Sequence, residues 1–443
     1  MFAVAMEAVD CLIEPRWIVP IEPAGVVLEG HVVAVRDRRI VAVVPAAEAD
    51  ARFAPETRCA LRSHVLLPGL VNLHTHAAMT LMRGLADDRS LMTWLREHIW
   101  PAELRHVSPE FVYDGTLLAS GEMLRGGVTC VNDMYFFPDS AAQAFHDAGM
   151  RASVGLIAVE FPSPYAADAE DYLTKGLALR DRLRDDDRLS FCMAPHAAYT
   201  VSDRTFQRIA TLAEELDLPI HVHVHETADE VRESVVAHGK RPLERLAALG
   251  LVTERLIAVH AIHLTPGEVA LLARSGASVA HCPSSNLKLA SGLAPVAELL
   301  AQRINVGLGT DGAASNNRLD LFQEMRTAAL LAKAVSGSAE AMPAHEALRC
   351  ATLGGARALG LERKIGSIEA GKQADLCALS LAHPETQPCY DPASQAVYAC
   401  GREHVTHVWV DGEALVADRR LTRVDPRDLE KRAGLWQNRL SEK

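Results

Sequence analysis

The 443-residue chain has no Cys-x-x-Cys pair, although it carries nine cysteines. They are scattered (Cys11, Cys59, Cys130, Cys192, Cys282, Cys350, Cys377, Cys389, Cys400), and their number is odd. That pattern excludes a disulfide framework or a thiolate zinc site and suits reduced thiols in a cytoplasmic protein. No apolar run approaches the length of a membrane span. The first residues, MFAVAMEAVDCLIEP, lack the basic flank of a secretory leader. No basic run offsets the formal net charge of -12, which argues against a nucleic-acid or anionic-membrane partner and leaves a small molecule as the expected one. Repeats of solenoid period and low-complexity segments are also missing.

What is present is an ordinary globular composition, 49% hydrophobic and 23% charged, on a chain longer than single cores usually grow. One large and one smaller domain are expected. Residues 1–64 hold short β-like runs, WIVPI, GVVLEGHVVAV and RRIVAVVP, with no convincing helix. From Leu66 strand and helix alternate. Eight apolar strand candidates follow: LPGLVNLHTH, GVTCVNDM, RASVGLIAV, LSFCMAPHA, PIHVHVHE, LIAVHAIHL, ASVAHCPSS and INVGLGTDG. Between them, Ser108-Pro109-Glu110 and Thr265-Pro266-Gly267-Glu268 read as helix starts, and Gly149, Gly250 and Gly276 as stops. After about Ala370 the chain is β-like again, with a polar tail from Asp425 that reads as one surface helix.

Eight near-continuous apolar strands alternating with helices predict an α/β protein with a (β/α)8 barrel over residues 65–370. Residues 1–64 and 371–443 are expected to pair into a small β-sandwich. A doubly wound open sheet is the alternative, and the polar residues decide against it. His or Asp stands near the C-terminal end of five strands: His74 and His76, His196, His223 and His225, His260, and Asp311. Barrels place their chemistry on that face from several strands at once.

Leu66–His76 anchors the site. Residues i and i+2 of a strand share a face, so His74 and His76 aim two imidazoles at one point, half of a zinc site. The fifth strand offers three histidines of one parity, His221, His223 and His225, and spacing alone does not choose among them. Asp311 adds a carboxylate beside glycines. Three His and one Asp form a sensible Zn²⁺ site, with water as a further ligand. The fourth strand, FCMAPHAAY, has no Lys to bridge a second ion, so one metal is expected.

These residues carry a resemblance. PGLVNLHTHAAMTLMRGLADD, WLREHIWPAE, GVTCVNDM, APHAAYTVS, HVHVHETADEV, HCPSSNLKLASG, GLGTDGAASNNRLD and GSIEAGKQADL stand in the order found in the amidohydrolase superfamily. Within it the chain resembles the methylthioadenosine/S-adenosylhomocysteine deaminases over about residues 60–380. The resemblance implies one divalent ion per subunit, Zn²⁺ with Fe²⁺ as alternative, on His74, His76, His223 and Asp311. The family's His-x-x-Glu pattern selects His223, because Glu226 stands three residues on. It further implies Glu226 as the acid at a ring nitrogen and His260 as the residue orienting the water. Asp311 takes the water's proton, Glu103 binds ribose hydroxyls, and His196 contacts substrate. Arg151 aligns loosely with an arginine for the carboxylate of S-adenosylhomocysteine, against which stands its reading as a surface residue before the third strand.

The expected reaction is hydrolytic deamination of the 6-amino group of adenine nucleosides: methylthioadenosine, S-adenosylhomocysteine or adenosine. The alternatives are a deaminase or hydrolase of guanine or an s-triazine, and, further off, a non-catalytic scaffold of the same fold. A homo-oligomer is expected. The loops after strands one and three should set substrate preference. His281 reads either as a substrate contact or as a satisfied structural group; His221, His225 and His263 read as support for the ligands. Cys130 and Cys282 read as core packing, and Met79, Met82 and Met92 as core filler or an apolar wall for a thioether.

Overall fold

The computed structural model describes residues 6–442, so the first five residues of the stretch read above for a leader lie outside the described residues. Eight short parallel strands form the barrel: β1 (Leu70–Thr75), β2 (Val128–Asp133), β3 (Arg151–Ala158), β4 (Leu189–Pro195), β5 (Ile220–Val224), β6 (Leu256–His260), β7 (Ser278–His281) and β8 (Asn305–Leu308). They pair in sequence order. Nearly every strand residue is buried, because helices cover the outside while side chains fill the lumen, and this produces the near-continuous apolar runs of the sequence.

The helices begin and end where their caps dictate. Ser108 Oγ accepts the Phe111 N–H at 3.2 Å. Thr265 and Glu268 form a reciprocal capping box. Gly149 and Gly276 close their helices in the left-handed region, at φ 76° and 74°.

Barrel closure occurs at the site itself. Beyond the end of β8, the Asp311 N–H donates to the His74 carbonyl at 2.9 Å. One residue earlier, the Asn72 side chain donates to Thr310 Oγ1 at 2.8 Å and accepts the Thr310 N–H at 3.0 Å. The first and last strands are thus stitched together at the level of their histidine and aspartate.

Both chain ends build a second, nine-stranded sheet. Strand Phe53–Pro68 lies at its centre, parallel to Glu7–Ile18 and antiparallel to Leu376–Ser380, which joins the two ends. Ile13, Val33, Ile40, Leu66, Leu376 and Trp409 meet in one apolar cluster drawn from both halves of the sheet. The parallel pairing needs a crossover, supplied by the helix Ala46–Arg52. That helix corrects the expectation of an all-β N-terminal segment: AAEADAR is rich in the best helix former, and its brevity hid it. The apolar run from Leu66 divides between two sheets at Gly69, where a Cβ would lie 2.1 Å from Thr129 Oγ1. Only glycine fits there.

The terminal helix Pro426–Ser441 buries Leu429 and Trp436, one stripe seven residues apart, on the helix Pro109–Arg125. The Trp436 Nε1–H donates to Asp114 Oδ2 at 2.8 Å. No described helix is long and apolar enough to cross a membrane, and all nine cysteines are unpaired.

Candidate active site

Four side chains from three strand ends converge at the top of the lumen. His74 Nε2 lies 3.2 Å and His76 Nε2 3.4 Å from Asp311 Oδ1. His223 Nε2 lies 3.2 Å from His74 Nε2. The strand geometry explains the convergence: His74 and His76 share a face, His223 sits one residue before the end of β5, and Asp311 is carried across the barrel seam. Asp311 adopts φ 62°, a left-handed conformation that Asp tolerates better than most residues.

The surroundings fix which ring nitrogens point inward. His76 Nδ1–H donates to the Met134 carbonyl and His223 Nδ1–H to the His196 carbonyl, each at 2.6 Å. Both therefore present an Nε2 lone pair to the centre. His74 Nδ1 is 2.9 Å from His221 Nε2, which orients the third imidazole alike. Burial lowers His74 to about 4 and holds His223 well below its ordinary value, so both rings are neutral near pH 7. Asp311 is well below the carboxylate range; burial opposes its ionisation, but His74 and the surrounding imidazoles outweigh it. Its oxygens also accept from Ser285 Oγ (2.6 Å), Ser315 Oγ (2.8 Å) and the Gly312 N–H (2.8 Å). Facing lone pairs and an ionised carboxylate, with no proton to share, fit a divalent cation.

Around this centre stand the other residues singled out in the sequence. Glu226 is buried 3.8 Å from His260 Nε2, and burial raises its pKa. Burial would lower His260, but Glu226 and Asp311 raise it. Asn286 Oδ1 receives its Nδ1–H at 2.8 Å. Glu103 accepts from the Tyr135 hydroxyl at 2.7 Å, and burial pushes it up to about 7. His196 is steadied by Thr200 Oγ1 at 3.0 Å and lowered to about 3 by burial. Tyr135, Asn286, Ser285 and Ser315 escaped the sequence reading. Only Ser315, four positions after Asp311, stands close in sequence to a proposed ligand; the other three carry no such signal.

Most of these groups line one cavity of about 380 Å³, while His74, Thr200, Ser285 and Asn286 stand behind its surface. His76, His196, His223, Glu226, His260 and Asp311 form its floor, and Glu103 stands on the wall. Most of the remaining wall comes from Leu91–Leu104 and the loops after β2 and β3, with Met79, Tyr199, Leu289 and Ser315 completing it. Positions four apart drift by about 40° per step around an α-helix. The wider π turn at Leu95–Ile99 takes up part of that drift, which keeps Leu91, Leu95, Ile99 and Glu103 on the cavity side.

Three expectations need correction. His225 does not face the lumen: with φ 57° it ends the strand, its Nδ1–H donates to the His263 carbonyl (2.9 Å), and its Nε2 accepts the Leu243 N–H (2.9 Å). Arg151 is neither exposed nor near substrate; it is buried against Asp375 and Asp411 at the opposite end of β3. His281 is outside the cavity, and neither ring nitrogen has a hydrogen-bond partner among the described residues. Of the three methionines, Met79 lines the cavity, Met82 is core and Met92 lies outside it.

The amidohydrolase family model matches residues 65–415. A protein of Saccharophagus degradans named 5-methylthioadenosine/S-adenosylhomocysteine deaminase is 47% identical, over 97% of this chain and 96% of its own length. A crystal structure of an adenosine deaminase from Xanthomonas campestris with bound zinc shares 52% identity at a TM-score of 0.97, covering 98% of this chain and 99% of that one. An atrazine chlorohydrolase of Arthrobacter aurescens complexed with zinc shares the fold at TM-score 0.88 and 24% identity, covering 96% of this chain and 100% of that one. Family model, near-full-length relatives and barrel agree: the chain belongs to the amidohydrolase family.

Proposed function

We propose that the chain is a metal-dependent hydrolytic deaminase that replaces the 6-amino group of an adenine nucleoside with oxygen and releases ammonia. The observation that carries this reading is the convergence of His74, His76, His223 and Asp311 beneath a cavity that also holds two glutamates, the buried Glu226 and the half-buried Glu103. The names of the relatives support the same substrate class. His74, His76, His223 and Asp311 hold one divalent ion, Zn²⁺ with Fe²⁺ as the alternative. When bound, such an ion supplies the Lewis acidity that makes water nucleophilic near neutral pH.

The chain's own groups do the rest. Asp311, kept ionised by its surroundings, takes the proton of the attacking water. His260, fixed by Asn286, orients that water. Glu226, whose raised pKa favours the protonated form, delivers its proton to N1 as C6 becomes tetrahedral. Asp311 then returns the water's proton to the amino nitrogen, which leaves as ammonia, and the remaining C6 hydroxyl proton reprotonates Glu226. Glu103, with one oxygen engaged by Tyr135, offers the other to the ribose hydroxyls, and His196 closes the pocket on the substrate. Residues 65–370 carry this machinery; 1–64 and 371–443 form the supporting β domain. The enzyme is cytoplasmic and homo-oligomeric.

The test is ammonia release by metal-replete protein from adenosine, methylthioadenosine, S-adenosylhomocysteine, guanine and an aminotriazine. Release from the nucleosides alone is expected, lost on chelation and restored by Zn²⁺ or Fe²⁺. Release only from guanine or the triazine would overturn the nucleoside reading.

A further inference from the structure

The polar groups of the cavity sit at one end and on one wall. Beyond Glu103 the wall is Trp94, Leu95, Ile99, Trp100, Phe136 and Phe161. No lysine or arginine lines the cavity among the described residues, and its acidic groups are Glu103, Glu226 and Asp311. We propose that this cavity selects adenine nucleosides whose 5′ position carries a short uncharged thioether and discriminates against those ending in an amino acid. The proposal rests on the nucleoside-deaminase reading above and narrows it.

With the purine over the ligand cluster and the ribose hydroxyls at Glu103, the 5′ substituent meets the aromatic wall. A thioether is polarizable and packs well on aromatic edges, and its methyl loses only contact with water. The homocysteine end of S-adenosylhomocysteine carries an ammonium and a carboxylate. Taking that carboxylate from water requires a cation or several donors in return. Arg151, the arginine the sequence offered for it, is committed to Asp375 and Asp411.

The nearest alternative is an outer groove that shares Leu91, Trp100, Phe161 and Tyr199 with the cavity and contains Arg96 and Arg204. That groove also holds Glu160, Asp203, Asp229, Glu230 and Glu233, and its Arg245 is tied to Asp203 at 2.7 Å. Its acidic balance repels a second carboxylate.

The experiment is kcat/KM for 5′-methylthioadenosine, 5′-butylthioadenosine, adenosine and S-adenosylhomocysteine, on the wild type and on Arg96→Met. The butylthio compound matches the homocysteine chain in length without its charges. Expected are methylthio and butylthio values within about threefold, and S-adenosylhomocysteine lower by at least about tenfold, the equivalent of ~1.4 kcal/mol of transition-state binding. The Arg96 variant should leave all ratios unchanged. S-adenosylhomocysteine within threefold of methylthioadenosine overturns the proposal. So does a butylthio compound as poor as S-adenosylhomocysteine, which would make length the selector. A loss of S-adenosylhomocysteine turnover confined to Arg96→Met would also overturn it, by showing a built carboxylate site. No ammonia from any adenine nucleoside would overturn the deaminase reading first, and the selectivity with it.

Discussion

At the N-terminal end of β3, Arg151 is surrounded by partners: Asp375 at 2.9 Å, Asp411 beside it, and Arg188 completing Asp411 at 3.1 Å. At the C-terminal ends of β1 and β5 and beyond β8, His74, His76, His223 and Asp311 bring their ligand atoms just as close, but the imidazole lone pairs face one another. Both clusters are buried and both draw on distant parts of the chain. They differ in whether the protein completes its own electrostatics. At the base every charge is answered within the chain, and the cluster joins barrel to end sheet. At the top the chain stops one cation short, and that deficit is what the proposed metal site rests on. The division matches the general behaviour of barrels, with chemistry on the C-terminal face and stability at the other.

The comparison breaks most sharply at Asp311. Asp311→Asn keeps the shape, and Asn can still accept from Ser285 or Ser315, but it removes the charge and the base. Turnover should fall by about 10³-fold or more while the unfolding midpoint changes little. Substantial activity in the metal-loaded variant would refute the assigned base. Arg151→Met is the opposite case. It leaves Asp375 and Asp411 as buried carboxylates without their principal cation, a situation that costs about 3–5 kcal/mol. Chemical denaturation should show that loss, and kcat per folded molecule should stay near the wild-type value. A variant of normal stability with reduced kcat would place Arg151 in the catalytic apparatus after all.

The two ends were also unequally legible in the sequence. His74, His76 and Asp311 could be picked out because strand parity and position at a strand's C-terminal end are local properties, visible in His-x-His or Leu-Gly-Thr-Asp, whereas His223 was set apart from His221 and His225 only by the family's His-x-x-Glu pattern. The same parity rule failed at His225, since it holds only while the strand continues, and the left-handed turn there has no sequence signal of its own. Arg151 could not be read at all: its partners lie 224 and 260 residues further along the chain, and nothing near Arg151 announces them. The fold class was legible because eight apolar runs with capped helices between them repeat one local pattern. The seam that closes the barrel, with Asn72 clasping Thr310, joins residues that only the finished topology brings together.

A smaller effect would sharpen the contrast further, through pH. Arg151 stays charged across the physiological range, because Asp375 and Asp411 outweigh the burial that would lower its pKa. Glu103 is placed to titrate, with burial pushing it from its ordinary 4.5 to about 7 against the opposing Tyr135 hydrogen bond. A folded-state value above the unfolded one means that the proton favours the native state. The corresponding stability is fully present below 4.5 and is lost as pH rises through about 7. Substrate binding runs the other way, since only the carboxylate can accept from both ribose hydroxyls while holding Tyr135. Relative to the Glu103→Gln variant, which cannot titrate, the wild-type kcat/KM for nucleosides should rise as pH increases through 7. The ratio of the two, followed from pH 5.5 to 8.5, isolates this group from every other titration in the site. A ratio flat across that range would mean that Glu103 is already ionised and that its carboxylate is held by something other than Tyr135.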